Sequence, residues 1–249
     1  MPFTLVAFYR STSTLGWNTL TPIHDPIMRI EGTRLYVPEL NKLIGVFIAA
    51  EYTSEARIRA PSLLSVAPFY INRLLSGITI TNQLHYVDLL ANPKAFVPTE
   101  PLEVDAYVTD VTAARNIYAL LLLGDAKVEK PAGEVWTIKA TATGTTTANV
   151  WTNLPLTFAE TLPAGKYVII GMKAVHSNMI AARLVSPKWP HRPGVPGISA
   201  VTDIENNIFR FGGLGVFGDF EHTTPPTVDL LTKAATTNPI IYFDVVKVA

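Results

Sequence analysis

The chain has 249 residues, of which 48% are hydrophobic and only 16% are charged, whereas an average soluble domain has about 25% charged residues. Its formal net charge is zero, which disfavours direct, sequence-specific binding of nucleic acid, because proteins that do this carry an excess of Lys and Arg. There is no cysteine, so disulfides and thiol catalysis are excluded.

The candidate elements along the chain are mostly short β-strands. They are rich in Val, Ile, Thr, Tyr and Phe, and most of the 19 prolines and 15 glycines fall between them. The predicted strands are Thr4–Tyr9, Arg34–Val37, Leu43–Tyr52, Ala56–Ile58, Gly77–Thr81, Leu102–Val108, Val135–Ala142, Leu154–Phe158, Tyr167–Val175, Ala181–Val185 and Ile240–Val248. The apolar run Arg115–Leu123 is too short to distinguish a strand from a buried helix.

Two short helices are predicted, one late in each half of the chain. The first is capped by Ser65 and ended by Gly77, and the second begins with the capping-box pair Thr202 and Glu205 and ends at Gly212. Their apolar faces contain Tyr70, Ile71, Leu74 and Leu75 in the first helix and Ile204, Ile208 and Phe211 in the second.

The chain repeats itself at several places in one order. Residues 43–61 align without a gap on residues 169–187, which pairs Gly45 with Gly171, Ala56 with Ala182, Arg57 with Arg183 and Pro61 with Pro187. Other matches are Trp-Asn-Thr-Leu at 17–20 with Trp-Thr-Asn-Leu at 151–154, Val-Asp-Leu-Leu at 87–90 and 228–231, and Asn-Pro at 92–93 and 238–239. We interpret the order of matches as a domain duplication, with the repeated alanines pointing into the cores.

The predicted organisation is an N-terminal domain at residues 1–124, a linker at 125–134 and a C-terminal domain at 135–249. Each half has about 120 residues, a length that suits one β-sandwich of about eight strands. Long connections and a helix before the last strands favour a jelly roll. The predicted fold class is therefore all-β, with two tandem jelly-roll β-sandwiches, each with a short helix before its last strands.

Two such halves in tandem resemble the double jelly-roll major capsid proteins of the adenovirus, tectivirus and corticovirus lineage. The resemblance covers nearly the whole chain and rests on architecture, without a diagnostic motif. It implies a structural protein of the virion capsid, assembled in the host cytoplasm as homotrimers that form pseudo-hexameric tiles of an icosahedral shell. The implied partners are neighbouring capsomers, vertex or minor capsid proteins and, often, an internal viral membrane beneath the shell. No enzymatic activity and no cofactor are expected.

The alternatives are a bicupin-like metal enzyme and a carbohydrate-binding β-sandwich. A cupin needs an HxH pair and further ligands, but no two of the five histidines are separated by one residue; they are His24, His85, His176, His191 and His222. His176 has the best position for a ligand, although a turn histidine is the preferred interpretation, and no metal site is predicted. A sugar binder should expose aromatic side chains near carboxylates, whereas the repetition of Trp17 and Trp151 indicates core positions.

Other candidate chemistry has a simpler structural explanation. His24 and Asp25 lie between prolines and fit a turn. Asp88 and Asp229 recur in the repeat, which favours a structural role, such as capping a turn, over catalysis. The glycine-rich Gly212–Gly215 lacks the Lys-Ser/Thr of a phosphate loop and is predicted to be a loop.

The segment Pro187–Gly197 is predicted to lie at a subunit interface. It combines rigid prolines with Trp189, His191 and Arg192, and Trp and Arg are enriched at the centres of interfaces. The open alternative is a stiff loop that packs Trp189 on its own sandwich. The charged residues of 51–59 are interpreted either as a solvated strand face or as an inter-subunit ion pair.

Overall fold

A computed structural model describes residues 3–37, 39–50, 52–64, 69–72, 86–186, 188–199 and 205–248, with the backbone alone at 64 and 69–72. These residues form two compact units. The N-terminal unit consists of the described residues between 6 and 126, and the C-terminal unit consists of residues 3–5 with those between 127 and 248. Among the described residues, no helix is both long and apolar enough to span a membrane.

The N-terminal unit is built from two antiparallel sheets. Strands β1 to β12 are Phe3–Thr12, Gly16–Thr19, Thr21–Pro22, Arg29–Glu31, Arg34–Tyr36, Lys42–Ala50, Thr53–Arg59, Phe69–Asn72, Val87–Asp88, Lys94–Ala95, Pro101–Val108 and Arg115–Gly124. One sheet has the order β1-β12-β6-β9, with β3 beside β1 and β10 beside β6. The other has the order β2-β11-β7-β8, and β11 also pairs β5, which pairs β4. The ambiguous segment at 115–123 is thus a strand.

The C-terminal unit repeats this order. Strands β13 to β20 are Val135–Ala142, Thr152–Phe158, Lys166–Val175, Met179–Val185, Gly194–Pro196, Gly218–Glu221, Thr227–Thr232 and Ile240–Lys247. They form one curled ladder, β17-β16-β19-β14-β13-β20-β15-β18. The eight main strands of the N-terminal unit are, in chain order, β1, β2, β6, β7, β8, β9, β11 and β12, and those of the C-terminal unit are β13 to β20. In both units the first, eighth, third and sixth main strands are neighbours, and so are the second, seventh, fourth and fifth. This is the strand order of a jelly roll, so the predicted fold class of two tandem jelly rolls is confirmed.

Alternating apolar side chains build the cores. On β11 the inward residues Leu102, Val104, Ala106 and Val108 lie in the same buried cluster as Ala56 and Ile58 of β7. The repeated alanines, Ala56 and Ala182, are both fully buried, as predicted.

The repeated glycines make room for later segments of their own units. A Cβ at Gly45 would lie 1.8 Å from the hydroxyl oxygen of Tyr86, and a Cβ at Gly171 would lie 2.3 Å from Oδ2 of Asp244 and 2.9 Å from the Cα of Arg210. Each glycine therefore marks a place where another part of the chain crosses close over the third main strand.

The two predicted helices are not present in the described residues, and this part of the fold prediction is wrong. Tyr70 and Ile71 lie in strand β8, which pairs with β7, while Ser65 and Gly77 lie outside the described residues. In the second half, Thr202 and Ile204 lie outside the described residues, and a 3-10 turn occupies Asn207–Phe209, capped by the side chain of Asn206, after which Arg210 returns to an extended backbone. Another 3-10 turn spans Pro61–Leu64.

Candidate functional site

Each unit contains a cluster of one tryptophan at or just before its second main strand, one arginine on its fourth and one aspartate on its seventh. We call these the Trp–Arg–Asp clusters. In the N-terminal unit the guanidinium of Arg57 lies 4.1 Å from the centroid of the Trp17 ring and donates from Nε to Asp105 Oδ2 at 2.7 Å. Thr19 Oγ1 donates to Asp105 Oδ1 at 2.7 Å, and Arg59 Nη2 donates to the same oxygen at 3.0 Å.

The C-terminal cluster reproduces these contacts. The guanidinium of Arg183 lies 4.1 Å from the centroid of the Trp151 ring, and its Nε donates to Asp229 Oδ2 at 3.0 Å. Asn153 Nδ2 donates to Asp229 Oδ1 at 2.8 Å, and Arg192 Nη1 donates to Oδ2 at 2.7 Å. Arg192 therefore supplies the second guanidinium that Arg59 supplies in the N-terminal unit.

The counterpart of Asp229 is Asp105, so the predicted match of the two Val-Asp-Leu-Leu segments is wrong. Asp105 is paired with Arg57 between neighbouring strands, as Asp229 is with Arg183. Asp88 lies instead on the short edge strand β9, is exposed and accepts the N–H of Leu90 at 2.8 Å in a turn. The turn-capping role predicted for both aspartates therefore holds for Asp88, whereas Asp229 forms buried ion pairs.

The two clusters differ in how far they are covered. Arg183 is fully buried, because its Nη1 donates to the carbonyl of Leu5 and residues 3–5 lie along the segment that carries Arg192. Trp17, in contrast, is 36% exposed, and Trp151 is half-buried, so the prediction that both lie in the core is wrong.

Burial and hydrogen bonding act in opposite directions on Asp105. Burial alone raises the pKa of this carboxyl, but the hydrogen bonds from Arg57, Thr19 and Arg59 outweigh burial, so the pKa lies below its usual value. Asp105 therefore stays ionised. The charged residues of 51–59 are predicted to form either a solvated strand face or an inter-subunit ion pair. Two of them, Arg57 and Arg59, instead pair with Asp105 within the N-terminal unit.

The predicted interface residues lie on the segment before β17. Arg192 is tied to its own unit, since its backbone N–H donates to Thr4 Oγ1 and its carbonyl accepts the N–H of Leu5 at 2.9 Å. Trp189 and His191 are half-buried, and Pro190 between them is exposed. Their role in an interface stays a prediction.

Trp189 and His191 line a surface pocket of about 270 Å³ within the C-terminal unit. Phe3, Phe217 and Gly218 are also in its wall, and the Phe3 and Phe217 rings meet edge to face at 5.0 Å between centroids. A Cβ at Gly218 would lie 1.7 Å from the Trp189 ring, so only glycine leaves room for the indole.

A buried ion-pair network lies at strands β13 and β20 of this unit and has no counterpart in the sequence predictions. Asp244, which is fully buried, accepts hydrogen bonds from Arg210 Nε at 2.6 Å, from Thr137 Oγ1 at 2.7 Å and from the N–H of Phe211 at 3.1 Å. Burial raises the pKa of Asp244, but the bonds from Arg210 and Thr137 outweigh it and hold the pKa below its usual value. Among the sequence matches, the one that pairs Gly171 with Gly45 lies beside this network, because Gly171 is next to Asp244 and Arg210.

The four histidines within the described residues occupy turns and loops, and His85 lies outside the described residues. Nδ1 of His176 accepts the N–H of Asn178 at 3.1 Å in the turn between β15 and β16, and Nδ1 of His222 accepts the N–H of Gly165 at 3.3 Å. In the part of the chain that the structure describes, no group of three or more His, Cys, Asp or Glu side chains is placed to hold a metal ion. The predicted turn at His24 and Asp25 is present, since Asp25 Oδ1 accepts the N–H of Ile27.

No model of a known protein family matches this sequence, and no curated protein matches it.

Proposed function

We propose that this chain is a viral major capsid protein that self-assembles into homotrimers with pseudo-hexameric outlines, which tile an icosahedral shell. Each trimer would contribute six jelly rolls of two similar kinds. The protein would act through assembly without catalysis or a cofactor. Its partners would be further copies of itself, vertex or minor capsid proteins and, where the shell encloses one, an internal membrane.

The observation that carries this proposal is the repetition of one jelly roll within one chain. The two units share the order of their eight main strands and the position of an aspartate that is paired with an arginine lying over a tryptophan ring. Two similar but unequal modules allow a three-fold assembly to present six similar edges, which is the requirement for a hexagonal lattice.

The composition supports assembly as well. A net charge of zero and a charged fraction of 16% provide little electrostatic repulsion between copies. Several large apolar side chains of the described residues are at least two-fifths exposed, namely Leu15, Val97, Val128, Val150, Phe211 and Val248. Contacts between copies would remove part of this surface from water.

The jelly roll is also the fold of cupins and of lectin domains, so the fold alone does not select among these functions. Negative-stain microscopy of the purified protein at high concentration distinguishes them. The proposal predicts hexagonal arrays or closed shells. Uniform small particles with no order between them over a range of salt and pH values would contradict it.

The predicted interface segment is best tested at Pro190, because changing Arg192 would also break its ion pair with Asp229. Pro190→Glu places a charge on the exposed side of the segment, and burying an unpaired charge in a contact is unfavourable. We expect this variant to lose ordered arrays. Thr161→Glu, at an exposed loop position of the same unit, is the matched control and should leave them intact.

A further inference from the structure

An aromatic row crosses three neighbouring strands on the outer face of the N-terminal unit. Tyr107 of β11 is paired with Trp17 of β2 on one side and with Glu55 of β7 on the other. The rings of Trp17 and Tyr107 meet edge to face, with 5.4 Å between centroids, and each side chain is 36% exposed. We call Trp17 and Tyr107, together with the neighbouring Glu55, the aromatic row.

The fold does not require this row, because the C-terminal unit does without it. At the position of Tyr107 the C-terminal unit has Leu231, and opposite Leu231 stands Ala181; both are fully buried. The same Trp–Arg–Asp cluster is thus covered in one unit and extended by an exposed tyrosine and a carboxylate in the other. A feature beyond the needs of folding is a candidate for recognition.

Two carboxylates, those of Asp105 and Glu103, balance the charges of the two guanidinium groups beside the row. Arg57 and Arg59 both donate to Asp105. Among the described residues no cation pairs with Glu55, and no hydrogen bond engages the hydroxyl of Tyr107. One face of the Trp17 ring is covered by the Arg57 guanidinium. The row therefore offers the exposed parts of the Trp17 and Tyr107 rings, one hydroxyl and the carboxylate of Glu55, whose negative charge opposes anionic ligands.

We propose that the aromatic row binds a neutral saccharide. The C–H bonds on one face of a pyranose carry partial positive charge and match the negative face of an aromatic ring, while hydroxyls at the edge donate to the carboxylate of Glu55. Acidic sugars and phosphates are disfavoured by Glu55. This site lies on the N-terminal unit alone and does not depend on whether the protein forms a shell.

The experiment uses the full chain labelled with 5-fluorotryptophan, whose four fluorine resonances are assigned from single Trp→Phe variants. The probes are the methyl glycosides of mannose, galactose and glucose, each titrated separately. For a ligand of about thirteen non-hydrogen atoms, ordinary ligand efficiency gives a dissociation constant on the order of 1 mM. We expect at least one glycoside to shift the Trp17 resonance saturably and to leave the Trp151 resonance unmoved.

Two variants identify the site. Tyr107→Ala and Glu55→Gln should each weaken binding several-fold, because one removes a ring surface and the other removes the charged acceptor. Glu103→Gln, which removes a carboxylate from the same face but one already paired with Arg59, is the matched control and should bind as the parent does.

The proposal is overturned if no glycoside moves the Trp17 resonance, or if Tyr107→Ala leaves the shift unchanged. It is also overturned if the Trp17 resonance moves with protein concentration alone and sugars do not compete, since the row would then be a contact between copies. Failure of shell assembly would leave the saccharide titration unaffected, so the two proposals fail separately.

Discussion

Asp105 and Asp229 occupy the same position in the two units, and each binds an arginine that lies over a tryptophan ring. The Arg57 and Arg183 guanidinium groups lie at the same 4.1 Å from their rings. The polar partner on the second main strand differs, with a threonine hydroxyl bound to Asp105 and an asparagine amide bound to Asp229. The two units thus share a contact pattern although the surrounding residues differ.

The first prediction concerns the buried aspartate of the C-terminal unit. Asp229→Asn removes the charge that faces Arg183, which is fully buried. Leaving a buried charge without its partner costs about 3–5 kcal/mol, and we expect the free energy of unfolding to fall by that amount in urea denaturation.

The matched control for this prediction is Asp88→Asn. Asp88 is the residue that the sequence repeat aligns with Asp229, but it is exposed and holds only a turn. We expect a change within about 0.5 kcal/mol. Equal losses in the two variants would show that Asp88 and Asp229 are equivalent after all.

The second prediction concerns the repeated alanines. Ala182 is fully buried, so Ala182→Leu should overpack the core and lower the free energy of unfolding by about 1–3 kcal/mol. Ser54→Leu adds a comparable side chain at an exposed strand position and should change stability by no more than about 0.5 kcal/mol. Thermal denaturation of both proteins checks this, and an unchanged melting temperature in Ala182→Leu would place the alanine outside the core.

The third prediction concerns pH. The pKa of Asp244 in the folded protein lies below its ordinary value, so its ion pair contributes stability above an unfolded-state pKa of about 3.9. That contribution is lost as the pH falls through the lower pKa of the folded state. The free energy of unfolding should therefore decrease as the pH falls below about 4.

Asp244→Asn tests the assignment of this pH dependence. The variant lacks the titrating carboxyl, so its free energy of unfolding should decline less steeply with acid than that of the parent. A residual slope is expected, because the pKa of Asp105 is lowered in the same direction. Identical slopes in the two proteins would mean that Asp244 does not titrate as the geometry requires.

The fourth prediction concerns the close approach of Tyr86 to Gly45. Gly45→Ala should destabilise the N-terminal unit, because the new Cβ would overlap the tyrosine hydroxyl. Replacing the tyrosine ring in the double variant Gly45→Ala/Tyr86→Leu removes the obstacle, so the effect of the alanine should be smaller there. A double-mutant cycle of unfolding free energies measures this coupling, and additive effects would contradict the proposed overlap.

Much of the fold could be predicted from local patterns. Val135–Ala142 was predicted with the same ends that β13 has, because its alternation and β-branched residues are local properties. The match of Gly45 with Gly171 was informative because each glycine meets a steric requirement that any side chain would violate.

The errors arose where a distant partner decides the structure. The apolar spacing at 204–211 predicts a helix, but Arg210 is held in an extended conformation while its guanidinium binds Asp244, 34 residues later. Likewise, the identical Val-Asp-Leu-Leu sequences do not reveal that Asp88 lies on an edge strand, whereas Asp229 lies on a central one. The exposure of Trp17 depends on which segments cover each sheet, and this is not a local property either.

The central claim, self-assembly through two unequal jelly rolls, is tested most directly by the mass of the purified protein in solution. Light scattering coupled to size exclusion should give three times the 27.2 kDa of the chain, with larger multiples as the concentration rises. A mass of one chain at every concentration, with the β signal of circular dichroism intact, would contradict the proposal.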